Sequence, residues 1–155
     1  FANQDHTDVL IVAAPKTIID SYLYCLKEAG IIPIAIEVKS HAIARALIKN
    51  QQSDSPVMII DFGENTANLI IFSGKSICFT ASLSISSDPD NLLEQVKKYI
   101  DFYQEHSYHD HLADNKIKKI IFCKNELQFR GLAEFFSSKL KIETEIGNPW
   151  INVDI

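Results

Sequence analysis

The chain lacks the motifs of the common nucleotide-binding and hydrolase classes. Its 155 residues include only five glycines, which leaves little material for loops that cradle phosphate. Neither a Walker loop nor a Gly-x-Gly-x-x-Gly motif occurs, and the serines between Ser82 and Ser87 are not set in a Gly-x-Ser-x-Gly elbow. The sequence therefore offers no convincing catalytic nucleophile.

Metal-binding and disulfide patterns are also absent. Cys25, Cys78 and Cys123 are far apart and form no Cys-x-x-Cys pair, so the sequence predicts neither a zinc site nor a disulfide framework, and it fits a reducing cytosol. The only histidine cluster is HSYHDH, residues 106–111. It could ligate a metal, but a polar solvated loop is the favoured interpretation, because such a loop fixes no ligand geometry.

The charge and hydropathy of the chain exclude two kinds of partner. The formal net charge is −5, and the densest basic patch is only Lys116, Lys118 and Lys119, so we expect no nucleic-acid surface. No apolar run is long enough to span a bilayer, so we expect no direct membrane insertion. The chain begins with Phe1 in a stretch that is not a signal peptide, and we expect it to be a piece of a longer protein.

The first 48 residues predict a β-α-β-α segment. Val9–Ala14 and Ile32–Val38 are short apolar runs typical of strands. Between them lies a helical pattern that starts after Pro15 and stops at Gly30, and a second helix starts at Ser40. The polar stretch Lys49–Pro56 is the best boundary candidate. We therefore divide the chain into a small subdomain with its connecting helix, 1–48, and a larger region, 49–155.

The larger region predicts a mixed sheet with helices on its faces, an α/β fold. Three strands form an antiparallel meander, and the third alternates strictly, so its apolar residues are predicted to share one face. A helix opened by Asp88-Pro89-Asp90 follows. The predicted strands are 57–61, 68–72, 76–85, 117–123 and 142–146, the last helix is 129–140, and the apolar face of the third strand is Ile77, Phe79, Ala81, Leu83 and Ile85.

The candidate site lies where the first of these strands ends in an acid. Asp61 is followed by Gly63, Glu64, Asn65 and Thr66, and then by the next strand. Aspartate is a good turn residue because its side chain can bond its own backbone. Alternatively, a carboxylate beside a phosphate-sized gap can hold a metal ion or its waters.

The order of these segments resembles the second half of actin-like (ASKHA) proteins, most closely the family of the type IV pilus assembly protein PilM. IDFGENTANLIIF resembles the second phosphate motif of that family. VLIVAAPKTIIDSYLYCLKEAGIIPIAIEVKSHAIARAL resembles its small inserted subdomain, and KKIIFCKNELQFRGLAEFFSSKLKIETEIGNPW, which includes Gly131, resembles its adenosine-motif segment. The resemblance runs from about Val9 to Val153. It implies an actin-like ATPase (ribonuclease H-like, FtsA-like) half that lacks the N-terminal lobe.

By this resemblance, Asp61 would orient a magnesium-bound water, the amides from Gly63 to Thr66 would face phosphate, and Gly131 would lie at the adenosine. The chain departs from the family where consecutive glycines usually stand, because it has Lys124-Asn125-Glu126 there. The first phosphate loop is also missing. We therefore expect no cofactor in this chain, and ATP with magnesium only in a complete two-lobed parent.

The resemblance implies a non-enzymatic scaffold or docking component of a type IV pilus or related secretion machine. Such a component binds the cytoplasmic tail of an inner-membrane partner resembling PilN, and is cytoplasmic and peripheral to that membrane. Three alternatives stay open: a nucleotide-binding ATPase switch of the same fold, the cytoplasmic domain of a GspL-like or MshI-like protein, and a stand-alone α/β interaction domain. Homo-oligomer formation is left open too.

Overall fold

The structure is a computed structural model, and it describes residues 9, 11–85, 88–106, 115–124 and 127–153. The chain divides into two compact units, Phe1–Val38 and Lys39–Ile155. The division falls before the second helix, whereas the sequence placed that helix with the first segment. The assignment of the two parts to an inserted-type subdomain and a second actin-like lobe stays a prediction.

The first unit contains one helix, α1, Lys16–Glu28, among its described residues. Pro15 precedes it, as expected for a residue with no amide hydrogen to lose at a helix start. The helix ends in a turn in which the Ile31 amide donates to the Leu26 carbonyl at 2.9 Å. Gly30 has a φ of +72° there, a conformation that costs a glycine little. The predicted C-terminal cap is confirmed.

The two strands predicted on either side of α1 are wrong for the residues that the structure describes. Residues 11–15 and 31–38 lie in no helix or strand. A strand exists only where its amides and carbonyls pair with a neighbour, and an apolar run does not supply the neighbour. Pro33 also interrupts the second run with a residue that has no amide to donate. The side chains of Ile32, Ile34 and Ile36 are exposed.

The second unit is a mixed five-stranded sheet in the order β3-β2-β1-β4-β5. β1 and β2 are antiparallel, as are β2 and β3, whereas β1–β4 and β4–β5 are parallel. The predicted mixed α/β class is confirmed, and so is the meander. The elements are α2 Lys39–Leu47, a 3-10 turn Lys49–Gln51, β1 Ser53–Phe62, β2 Thr66–Gly74, β3 Ser76–Ser84, α3 Pro89–His106, β4 Lys119–Cys123, α4 Leu127–Leu140 and β5 Glu143–Ile146.

The sheet is buried on both faces along its central strands. On one face, residues such as Met58, Ile60 and Phe122 pack with the apolar stripes of α3 and α4. On the other face, here called the α2 face, Val57, Ile59, Ile70, Phe72 and Ile121 pack with Ala44, Leu47 and Ile48. Burial on both sides explains why β1 reads as a continuous apolar run rather than an alternating one.

A β-bulge in β3 corrects one predicted orientation. Phe72 pairs with Ile77 but the preceding Ile71 pairs with Phe79, so Cys78 is an extra residue in β3. An extra residue reverses the alternation on one side of the bulge. Phe79 and Leu83 therefore pack on the α3 and α4 face as predicted, whereas Ile77 packs on the α2 face. Of the five residues predicted to share one face, only Ile77 lies on the other face.

The histidine cluster is described only at its first residue. His106 is the last residue of α3, and its ring stacks on Phe102 with centroids 4.3 Å apart. Residues 107–111 of the cluster lie outside the described residues. Across the described ranges, no group of three His, Cys, Asp or Glu side chains is placed to hold a metal. Within those same ranges, every helix is too short or too polar to cross a bilayer.

Candidate functional site

A row of four polar or titratable side chains crosses the α2 face of the sheet near the end of β1. Ser82 on β3 is the register partner of Asn68 on β2, and Asn68 is the partner of Asp61 on β1. Asp61 is in turn the partner of Cys123 on β4. Facing residues of adjacent strands point to the same side. The row therefore borders the apolar part of the same face, which includes Ile59, Ile70 and Ile121.

Hydrogen bonds connect three of these residues to one another. The Ser82 hydroxyl donates to Asn68 Oδ1 at 2.6 Å, and Asn68 Nδ2 donates to Asp61 Oδ2 at 3.3 Å. Asp61 is only 5% exposed, and a buried carboxylate needs a charged or hydrogen-bonding partner to offset its lost hydration.

Lys39 provides the opposite charge. Its Nζ lies 2.5 Å from Asp61 Oδ2. Lys39 is the first residue of α2 and of the second unit. Its side chain is 68% exposed whereas that of Asp61 is 7% exposed, so the ammonium group remains hydrated while it neutralises a buried acid. The pair anchors the start of α2 to the end of β1.

Cys123 completes the row as a half-buried thiol. Burial raises the pKa of Cys123 above its ordinary 9.0, the nearby Asp61 carboxylate raises it further, and Lys39 partly opposes both. The thiolate is the reactive form of cysteine. Cys123 is therefore protonated at neutral pH and less reactive than an ordinary exposed thiol, and the row contains no activated nucleophile.

The structure brings most of the predicted site residues together in one hairpin. The Gly63 amide donates to the Thr66 carbonyl at 2.8 Å, and the Asn65 carbonyl accepts from the Ile85 amide at 2.9 Å. A Cβ on Gly63 would lie 3.0 Å from the Thr66 carbonyl oxygen, so this close turn favours glycine. Glu64 is exposed at the tip of the hairpin.

Gly131 lies on a different element from that hairpin. α4 begins at Leu127, two residues earlier than the predicted Phe129, so Gly131 is inside the helix rather than at its start. It is exposed, and no atom would meet a Cβ built there within 4 Å. Lys124 precedes α4, and the two residues that follow it, 125 and 126, lie outside the described residues.

The residues of this site do not fit a magnesium–phosphate group. The Asp61 carboxylate already holds an ammonium group, and the Gly63 amide is used within the hairpin. Glu64 adds an exposed acid where negative phosphate would have to approach. Magnesium at Asp61 would first have to displace Lys39. The Lys39–Asp61 pair instead attaches helix α2 to strand β1 of the sheet.

Sequence reasoning found Asp61 but missed its partners. Lys39 gave no such signal, because the sequence predicts a helix that starts one residue later, at Ser40. Asn68 and Ser82 had a weaker signal, namely polar residues within the strands of the meander. Cys123 had no signal, since its neighbourhood depends on the pairing of β1 with β4.

The fold and the hairpin together define a mixed α/β protein of the actin-like class. Residues 1–85 match the family described as type IV pilus assembly protein PilM. The chain belongs to this PilM family. No curated protein is a significant match to it.

One solved structure supports this fold with a TM-score of 0.62. The chain is similar to this structure, which is of a PilM–PilN type IV pilus biogenesis complex, with 15% identity over 87% of this chain and 48% of that one. It thus spans about half the length of that relative. Ethanolamine utilization protein EutJ from Carboxydothermus hydrogenoformans follows, with a TM-score of 0.49, 15% identity and coverage of 86% and 57%. A Bacteroides thetaiotaomicron protein with an actin-like ATPase fold and unknown function has a TM-score of 0.47, 9% identity and coverage of 72% and 37%.

Proposed function

We propose that this chain is a docking component that binds the cytoplasmic tail of an inner-membrane partner resembling PilN. Membership of the PilM family and similarity to a structure of a PilM–PilN complex support the proposal. The component works on the cytoplasmic side and is peripheral to the inner membrane, which it reaches through its partner.

The observation that carries the proposal is the exposed apolar segment of the first unit. Ile32 is 87% exposed, Ile34 is 100% exposed and Ile36 is 53% exposed. Three exposed isoleucines within five residues are an unusual concentration of exposed apolar side chains, and such concentrations often mark interaction sites. Their segment is in no helix or strand. An apolar peptide can bind such a segment by packing its side chains against the exposed isoleucines.

The proposal is tested by measuring peptide affinity. The probe is a fluorescent synthetic peptide of the PilN-like partner's cytoplasmic tail, followed by anisotropy. Burial of one isoleucine stabilises by about 1.5–3 kcal/mol, so Ile34→Ser should raise the Kd roughly ten- to hundredfold. The matched control is Val153→Ser, an exposed apolar residue of the second unit, 51% exposed, which should leave the Kd unchanged. Equal affinity of Ile34→Ser and the unaltered chain would contradict this docking site.

The alternative function, a nucleotide-binding switch, is separated from docking by a melting experiment. Because Lys39 neutralises Asp61, we expect Mg-ATP to leave the melting temperature of the chain unchanged. A rise that Asp61→Ala abolishes would instead support the switch.

A further inference from the structure

Helix α2 is held at both ends by residues that are distant in sequence. At its first residue, Lys39 pairs with Asp61 on β1. At its last turn, a side chain from the far downstream segment 147–153, here called the tail, contacts the backbone. Between the two ends, Ala44, Leu47 and Ile48 are buried on the sheet.

The contact at the last turn is made by Asn152. Its Nδ2 donates to the Arg45 carbonyl at 2.9 Å and to the Ile48 carbonyl at 2.8 Å. Its Oδ1 accepts from the Asn50 amide at 2.8 Å. The last carbonyls of a helix have no partner within the helix and need one from outside. Asn152 thus caps the C-terminal end of α2 and also holds Asn50 in the 3-10 turn beyond it.

Hydrogen bonds made by the tail position Asn152 at the end of α2. The Gly147 amide donates to the Phe122 carbonyl at 2.9 Å, which extends the pairing of β5 with β4 by one residue. Asn148 Oδ1 then accepts from the Trp150 amide at 3.0 Å, and its carbonyl accepts from the Ile151 amide at 3.3 Å. These local bonds turn the tail, so the capping contact belongs to an ordered segment.

We propose that α2 is clamped at both ends within the second unit, and that Asn152 is the residue that keeps its last turn ordered. α2 directly follows Val38, the last residue of the first unit. Release of the tail therefore loosens the helix through which the chain enters the sheet. This coupling follows from the contacts of α2 and does not depend on the proposed docking function.

The test is hydrogen exchange of the α2 amides, with the β1 amides as an internal reference. Asn152→Asp keeps Oδ1 for the Asn50 amide but loses both donated bonds and places a negative charge at the helix C-terminus, which the dipole disfavours. Loss of two such bonds should accelerate exchange in α2 roughly tenfold or more, with β1 unchanged. Trp150→Ala is the matched control in the same tail. Its side chain is 64% exposed, so α2 exchange should stay as it is in the unaltered chain.

Two results would overturn the proposal. The first is α2 exchange that Asn152→Asp does not alter, and the second is acceleration that is equal in α2 and β1. If Asn152→Asp does not fold, Asn152→Ser is measured in the same way, and the same comparison of α2 with β1 decides. Peptide binding by the Ile34→Ser variant is measured in a separate experiment. The docking proposal and the proposal for α2 can therefore fail independently of each other.

Discussion

Replacement of Gly147 by alanine should destabilise the second unit by overpacking the contact between the tail, α2 and β4. A Cβ at residue 147 would lie 2.7 Å from Leu47 Cδ2 and 2.9 Å from Ile121 Cγ2. Leu47 could move its terminal methyl groups. The Ile121 methyl is attached to the branched Cβ of a strand residue only 4% exposed, so it can move only if β4 shifts.

The expected cost follows from this geometry. Forcing one methyl group into a packed core typically costs about 1–3 kcal/mol. For a chain of this size, each kcal/mol lowers the melting temperature by roughly 2–4 °C. Gly147→Ala should therefore melt several degrees below the unaltered chain, with a corresponding fall in the urea midpoint.

Gly131→Ala is the matched control for that experiment. Gly131 lies inside α4 with no atom within 4 Å of an added Cβ, so alanine there should stabilise the helix by about 0.5–1 kcal/mol. The two glycines should thus change the urea midpoint in opposite directions. A melting temperature for Gly147→Ala equal to or above that of the unaltered chain would refute the packing argument.

Two further predictions concern the sheet. Leu83→Asp should abolish the cooperative melting transition and the native circular dichroism, because it removes a side chain worth about 2–5 kcal/mol and buries an unpaired charge at a position 5% exposed. The control is Thr80→Asp, at an exposed position of β3, which should fold. A native spectrum for Leu83→Asp would show that the register of β3 on β2 is wrong. Cys123 should react with iodoacetamide at pH 8 more slowly than the exposed Cys25 and Cys78, as mass spectrometry can measure, because its pKa is raised above 9.0. Equal labelling rates for the three cysteines would contradict the raised pKa of Cys123. The folding stability contributed by its neutral thiol should be fully present below the pKa of the unfolded chain and decline as the pH rises through the pKa of the folded chain.

The second unit was predictable from sequence because its signals are local. The meander shows alternating or continuous apolar runs separated by turn residues, and α3 shows a clear apolar stripe. The period-2 rule failed only where Cys78 adds a residue, and a bulge depends on the partner strand. The first unit had strand-like runs at 9–14 and 32–38, but apolar composition does not specify a pairing partner, and Pro33 weakens the second run.

The candidate site was predictable only in part, because most of its contacts join residues from different helices and strands. Strand-Asp-x-Gly-turn patterns are common, and Asp61 was singled out by the order of the segments around it. Its actual role depends on Lys39, which comes from another element, and on Asn68 and Ser82, which are brought beside it by strand register. Likewise, the capping by Asn152 depends on a fold that returns the tail to α2.

The long sequence separation of the Asn152 contacts has a consequence for how the protein is made. The bonds from Asn152 to Arg45 and Ile48 span 107 and 104 residues. Such contacts form only after the intervening chain is closed, which is an entropic cost that local contacts do not carry. During synthesis, the meander can assemble while α2 still lacks its cap. A chain cut short before Asn152 would therefore expose a frayed α2, and proteases should degrade it preferentially over the finished chain.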